Sequence, residues 1–91
     1  MIEIVWSESA SQQLDEITAY IEEFNVAAAA EVGAALRTLA QSLSTSPNRG
    51  RPAANGSREL VTVRPYVLRY SVHGEFVLIR SIRHSRRKPL S

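Results

Sequence analysis

The stretch from Tyr66 to Lys88, YVLRYSVHGEFVLIRSIRHSRRK, decides the fold. Its two apolar runs can pair across His73-Gly74, where the glycine can take the positive φ of a tight hairpin turn. The second run, Phe76-Val77-Leu78-Ile79, is apolar on both faces. That suits a central strand covered by helices on one side and by something else on the other. A burst of positive charge then surrounds one histidine, His84. The rest of the chain reads as scaffold for this hairpin and its tail.

Upstream, Arg58 to Arg64 alternates as a strand that Pro65 ends. Ser44 to Ser57, STSPNRGRPAANGS, is dense in turn formers and reads as a loop, with Gly50-Arg51-Pro52 a turn inside it. Val32, Leu36, Leu39 and Leu43 form the apolar stripe of a helix that Asn25 can cap. Gly33 inside it costs roughly 1 kcal/mol relative to alanine; close approach of a neighbouring helix would offset this, and a plain accident of sequence is the equal alternative. Ala10, Leu14, Ile17, Ile21 and Phe24 form the stripe of an earlier helix capped by Ser7. Tyr20 lies beside that stripe, its ring able to enter the core. Only Phe24-Asn25-Val26 separates the two, which implies an antiparallel helical hairpin. Ile2 to Trp6 reads as a short strand. The expected architecture is α+β: an N-terminal strand, an antiparallel two-helix hairpin, then a three-stranded antiparallel meander. The helices pack on one face of a small, mainly antiparallel sheet.

Ninety-one residues make a single domain, 1–91. A chain this short buries only ~60–65% of its surface, so a partner that covers apolar area would add stability. The chain has no cysteine, which excludes disulfides and thiolate metal sites. No metal-ligand spacing, Gly-rich phosphate loop or Ser/His/Asp arrangement stands out, so neither a metal nor a cofactor is expected. With no signal-peptide pattern and no run of ~20 apolar residues, a soluble cytoplasmic protein without membrane contact is expected. The net charge of +2 hides an asymmetry. Residues 1–45 carry seven acids against one base, Arg37, and residues 46–91 carry ten bases against two acids, Glu59 and Glu75. Such polarity suggests a basic face for an anionic partner, nucleic acid or acidic protein.

Several segments in order carry a resemblance. They are SESA followed by LDEI and YIEEFN in the first helix, AA and AAL in the second, Pro47 to Pro52, Arg58-Glu59-Leu60, Tyr66 to Val72, and Val77 to Arg87. Together they resemble the ParE/RelE family of bacterial type II toxins, ParE more closely than RelE. The chain departs from the usual pattern at Glu8 and Val26, where proline often opens the two helices. The resemblance implies a toxin neutralised by a co-expressed antitoxin. ParE-like members are associated with poisoning DNA gyrase, and RelE-like members cut messenger RNA on the ribosome.

RNA cleavage needs a base for the 2′-hydroxyl, an acid for the leaving oxygen and cations for the phosphate. Arginines are plentiful, and His84 is the candidate for proton transfer. The resemblance implies that a RelE-type site adds a tail tyrosine, or a histidine, tyrosine and glutamate. Here the tail reads His84-Ser85-Arg86-Arg87-Lys88-Pro89-Leu90-Ser91, without tyrosine, and His84 reads better as a structural strand end. Tyr66 and Tyr70 share a strand face and read as packing before base stacking. His73 is a turn residue. The expected function is therefore a gyrase poison with Arg80, Arg83, Arg86, Arg87 and Lys88 meeting the target, protein or DNA phosphate. A ribosome-dependent ribonuclease and a non-toxic module retained as the antitoxin's partner are the alternatives. The expected antitoxin is ParD-like, with an acidic amphipathic tail. Its contacts are placed at Tyr20, Phe24, Arg58 and Arg64.

Overall fold

The computed structural model describes residues 1–86. Strand β1 (Glu3–Trp6) leads into helix α1 (Glu8–Glu22), and helix α2 (Val26–Gln41) runs on into a 3-10 turn at Ser42–Ser44. Strands β2 (Arg51–Pro52), β3 (Arg58–Leu60), β4 (Tyr66–His73) and β5 (Phe76–His84) follow. Both helix starts are built as local chemistry dictates. The Ser7 hydroxyl accepts from Ala10 N at 3.0 Å, and the Asn25 side chain accepts from Ala28 N at 2.9 Å.

The expected architecture is present, and the loop before β3 adds one short strand, β2, to the N-terminal strand and the meander. Five strands lie in the order β1-β5-β4-β3-β2, antiparallel except for β1, which runs parallel to β5. The turn-rich loop supplies β2, with Arg51 opposite Glu59, so Gly50-Arg51-Pro52 is not merely a turn. Strand β3 stops at Leu60, short of the expected Arg64. Parallel pairing places β5 between β1 and β4, which explains why its apolar residues serve both faces.

The helices cover one sheet face. Ala10, Leu14, Leu36, Leu39, Ala40 and Leu43 meet Leu60, Leu68, Tyr70, Val77, Ile79 and Ile82 in the core. Gly33 is buried where α1 crosses α2, and a Cβ there would stand 3.1 Å from the Thr18 methyl. The close approach expected of this glycine is therefore present. Tyr70 is fully buried, and its hydroxyl donates to Pro47 O at 2.7 Å and accepts from Gly50 N at 2.9 Å. A Cβ on Gly50 would lie 2.7 Å from that hydroxyl and 2.9 Å from Glu59 O, so only glycine fits beneath the latch.

Candidate functional site

The sheet face turned away from the helices carries a charge knot. Register and alternation bring Glu59 of β3, Arg69 of β4, Arg83 of β5 and Arg51 of β2 together on it. Glu59 is buried, 8% exposed, and one of its oxygens accepts from Arg69 Nη2 at 2.8 Å and Nε at 3.2 Å. Arg83 reaches the same oxygen at 3.5 Å, and Arg51 reaches the other at 3.4 Å. Burial alone would push the Glu59 carboxyl up. The Arg69 hydrogen bonds and the charges of Arg69, Arg83 and Arg51 outweigh it and hold the carboxyl below its usual range. A carboxylate so held is a poor proton acceptor and a good organiser of guanidinium groups. One acid against three bases leaves this face cationic.

Strand β5 reaches the knot through a bulge. Arg69 pairs with Ser81 and Tyr70 with Ile79, which leaves Arg80 without a partner on β4. The extra residue inverts the facing of the strand, so that Ile82 enters the core and Arg83 turns to Glu59. Helix α1 satisfies the backbone groups this frees. The Ser7 hydroxyl donates to Arg80 O at 3.1 Å, and Ile82 N donates to the Gln13 side-chain oxygen at 2.8 Å. Arg80 itself is exposed.

The other expected site residues are spread around this frame. His84 is half-buried, with its ring edge-on to Tyr66 at 5.9 Å, and its Nδ1 accepts from Arg86 N at 3.2 Å. That bond closes the turn that follows β5. Arg86 is exposed, whereas Arg87 and Lys88 lie outside the described residues. Arg64 is exposed and lines a hollow of about 270 Å³ with Val61, Pro65, Tyr66, Val67 and Ser85. Arg58 is engaged within the chain, donating to Gly50 O at 2.7 Å and Asn48 O at 3.2 Å. His73 stacks on Phe76 with ring centres 5.1 Å apart at the exposed hairpin turn.

Tyr20 and Phe24 depart from the expected stripe. The core positions of α1 end in partial burial at Ile17 and Ile21, and the helical hairpin projects beyond them. Phe24 is 74% exposed and Tyr20 65%, their rings edge to face at 5.3 Å. Val26 beside them is also exposed. Neither aromatic ring enters the core; both form an apolar patch at the hairpin tip.

The structure thus brings Arg83 together with Arg69, Arg51 and Glu59, and it separates that face from Tyr20 and Phe24. Glu59, Gln13 and the Tyr70 latch are absent from the sequence-based site. Arg58-Glu59-Leu60 alternation does assign Glu59 to the face opposite Leu60, the one signal that could have found it. Among the described residues, no group of histidine, cysteine or acidic side chains could hold a metal ion, and no helix is long and apolar enough to cross a membrane.

Four likenesses bear on identity. Toxin RelE2 of Caulobacter vibrioides is 44% identical over 87 residues, covering 96% of this chain and 99% of that protein. The putative toxin Y4kP of Sinorhizobium fredii is 38% identical over 84 residues, 90% of this chain and 86% of its own length. The solved chromosomal ParDE toxin-antitoxin system of P. aeruginosa superposes with a TM-score of 0.83 at 24% identity. That match covers 92% of this chain and 96% of the other, a likeness of fold. A family model described as the ParE toxin of the type II toxin-antitoxin system parDE matches residues 4–89. With that match spanning nearly the whole chain, the protein belongs to the ParE toxin family of type II toxin-antitoxin systems.

Proposed function

We propose that this toxin inhibits growth by binding and poisoning DNA gyrase, and that a cognate ParD-like antitoxin neutralises it. The observation that carries this reading is the way the arginines are held. Arg69 and Arg83 are fixed by a buried, ionised Glu59, and Arg80 is presented by a bulge. His84 offers its Nδ1 to a backbone amide. Such a surface suits recognition of anionic groups better than proton transfer. Target contact is assigned to Arg80, Arg83 and Arg86, together with Arg87 and Lys88. The antitoxin is expected to set an acidic amphipathic tail against Arg64 and the neighbouring hollow. Other apolar residues of the antitoxin cover the tip at Tyr20 and Phe24. Arg58 contributes by shaping the loop before β3.

Purified toxin tested on gyrase supercoiling and gyrase-mediated DNA cleavage, and in parallel on messenger RNA in a translating extract, decides the matter. Inhibited gyrase with intact message is the expected result. Cleaved message with unaffected gyrase would overturn it in favour of a RelE-type ribonuclease.

A further inference from the structure

The hairpin tip has a chemistry opposite to that of the sheet. Tyr20, Phe24 and Val26 are exposed there in a chain whose helical hairpin is strongly acidic. Glu16 lies one turn before Tyr20 on the same helix face, and Glu23 lies one turn after it. Both are exposed, as is Glu22. Among the described residues, every ion pair involves Glu59, so none engages Glu16, Glu22 or Glu23, and the one base of the helical hairpin is Arg37, whose guanidinium lies beside Gly33.

The position of two of these acids matters further. Glu22 closes α1 and Glu23 caps its C-terminal end, with no basic residue in the last turn. A helix C-terminus carries a partial negative charge, so carboxylates there are repelled and cations attracted. Local helix chemistry would favour lysine or arginine at both positions. The Tyr20–Phe24 pair supplies a second attraction for the same kind of group, because an aromatic face draws ammonium and guanidinium. A contiguous exposed apolar pair within a ring of like charge is the footprint of an interface core and its polar rim.

We infer that the hairpin tip docks a basic amphipathic segment of the antitoxin, one whose apolar side chains cover Tyr20, Phe24 and Val26 while its lysines or arginines face Glu16, Glu22 and Glu23. This rests on the antitoxin reading above and adds a sign to it. A uniformly acidic tail can neutralise the arginine face but is repelled at the tip. The antitoxin therefore needs two segments of opposite charge, placed on two surfaces of the toxin.

The test uses the full-length toxin and its full-length cognate antitoxin. Glu22→Lys/Glu23→Lys is compared with wild type for antitoxin affinity, with circular dichroism and thermal melting as the check on folding. The double reversal suits the helix dipole, so the fold is expected to melt at the same temperature or higher. Antitoxin affinity is expected to fall by about tenfold or more, the scale of opposed charges at an interface. A photo-reactive phenylalanine analogue at Phe24 is expected to crosslink to an antitoxin segment with net positive charge. Unchanged or increased affinity of the double variant, or a crosslink to an acidic segment, would overturn the inference. Failure of the wild-type pair to associate at all would instead overturn the antitoxin reading beneath it.

Discussion

Replacing Glu59 by glutamine tests whether the arginine face is an organised structure or a chance gathering of charge. The substitution keeps size and one acceptor oxygen, but it removes the negative charge and turns an amide NH₂ toward guanidinium groups. The bonds at risk are unequal. Arg69 makes two to one oxygen, at 2.8 and 3.2 Å. Hydrogen bonds of charged partners contribute about 1.5–3 kcal/mol. The contact to Arg83, at 3.5 Å with that side chain 22% exposed, is longer and weaker. Arg51 is 63% exposed at 3.4 Å, so its contribution is that of a surface pair, below about 1 kcal/mol. The expected cost of Glu59→Gln is about 2–4 kcal/mol, because three cations are also left facing one another. For a domain of this size that lowers the melting temperature by roughly 10–20 °C. Urea unfolding at pH 7 should rank the arginines in the same order, with Arg69→Met costing about 2 kcal/mol and Arg51→Met less than about 1 kcal/mol. The pH dependence gives an independent check. Glu59 has a lower pKa folded than unfolded, so its contribution is present above the ordinary carboxylate range. It is lost as pH falls through the depressed folded value, and Glu59→Gln should remove that part of the acid limb. A Glu59→Gln protein within about 0.5 kcal/mol of wild type, or an Arg51→Met variant as damaged as Arg69→Met, would refute the reasoning.

Other perturbations give equally definite outcomes. Gly50→Ala should destabilise by about 2–4 kcal/mol in urea titrations, since its Cβ would collide with the Tyr70 hydroxyl and the Glu59 carbonyl, the latter being backbone. Tyr70→Phe should cost about 1–3 kcal/mol by leaving the buried Gly50 amide without its acceptor. Gln13→Met, which keeps the length and removes the acceptor, should speed hydrogen exchange at the Ile82 amide. Gln13→Glu should restore its protection, and equal exchange in all three proteins would dismiss the clamp. Tyr20→Ser/Phe24→Ser should leave the free toxin within about 0.5 kcal/mol of wild type, as expected for exposed positions, while weakening the antitoxin complex seen in titration calorimetry.

Local chemistry was legible in the chain. Ser7 and Asn25 announce helix starts because a cap is a matter of three residues, and both make the expected bonds. The α1 stripe was legible as a face but not as a depth. Periodicity says which side of a helix is apolar, and only the sheet beneath it determines where burial ends, which is before Phe24. The parallel partner of β1 could not be read, because Glu3 pairs with Phe76 across almost the entire chain. Glu59 was hidden for a related reason. Its three arginines come from three strands, and only the register, including the bulge that turns Arg83 over, brings them to one carboxylate. The basic tail was visible as charge, whereas the arrangement that gives it a surface was not.

The parallel pairing of β1 with β5 also fixes an order of events at birth. Synthesis delivers β1 first, yet its hydrogen-bonding neighbour follows much later; Ser7 and Arg80, which meet at the bulge, are 73 positions apart. Until β5 emerges, β1 and β4 both lack the strand between them, and both helices face an unfinished sheet. The strand that completes the core is also the one that carries Arg80 and Arg83. A chain interrupted before β5 therefore lacks both a closed core and the arginines that β5 adds to the face, Arg80 and Arg83.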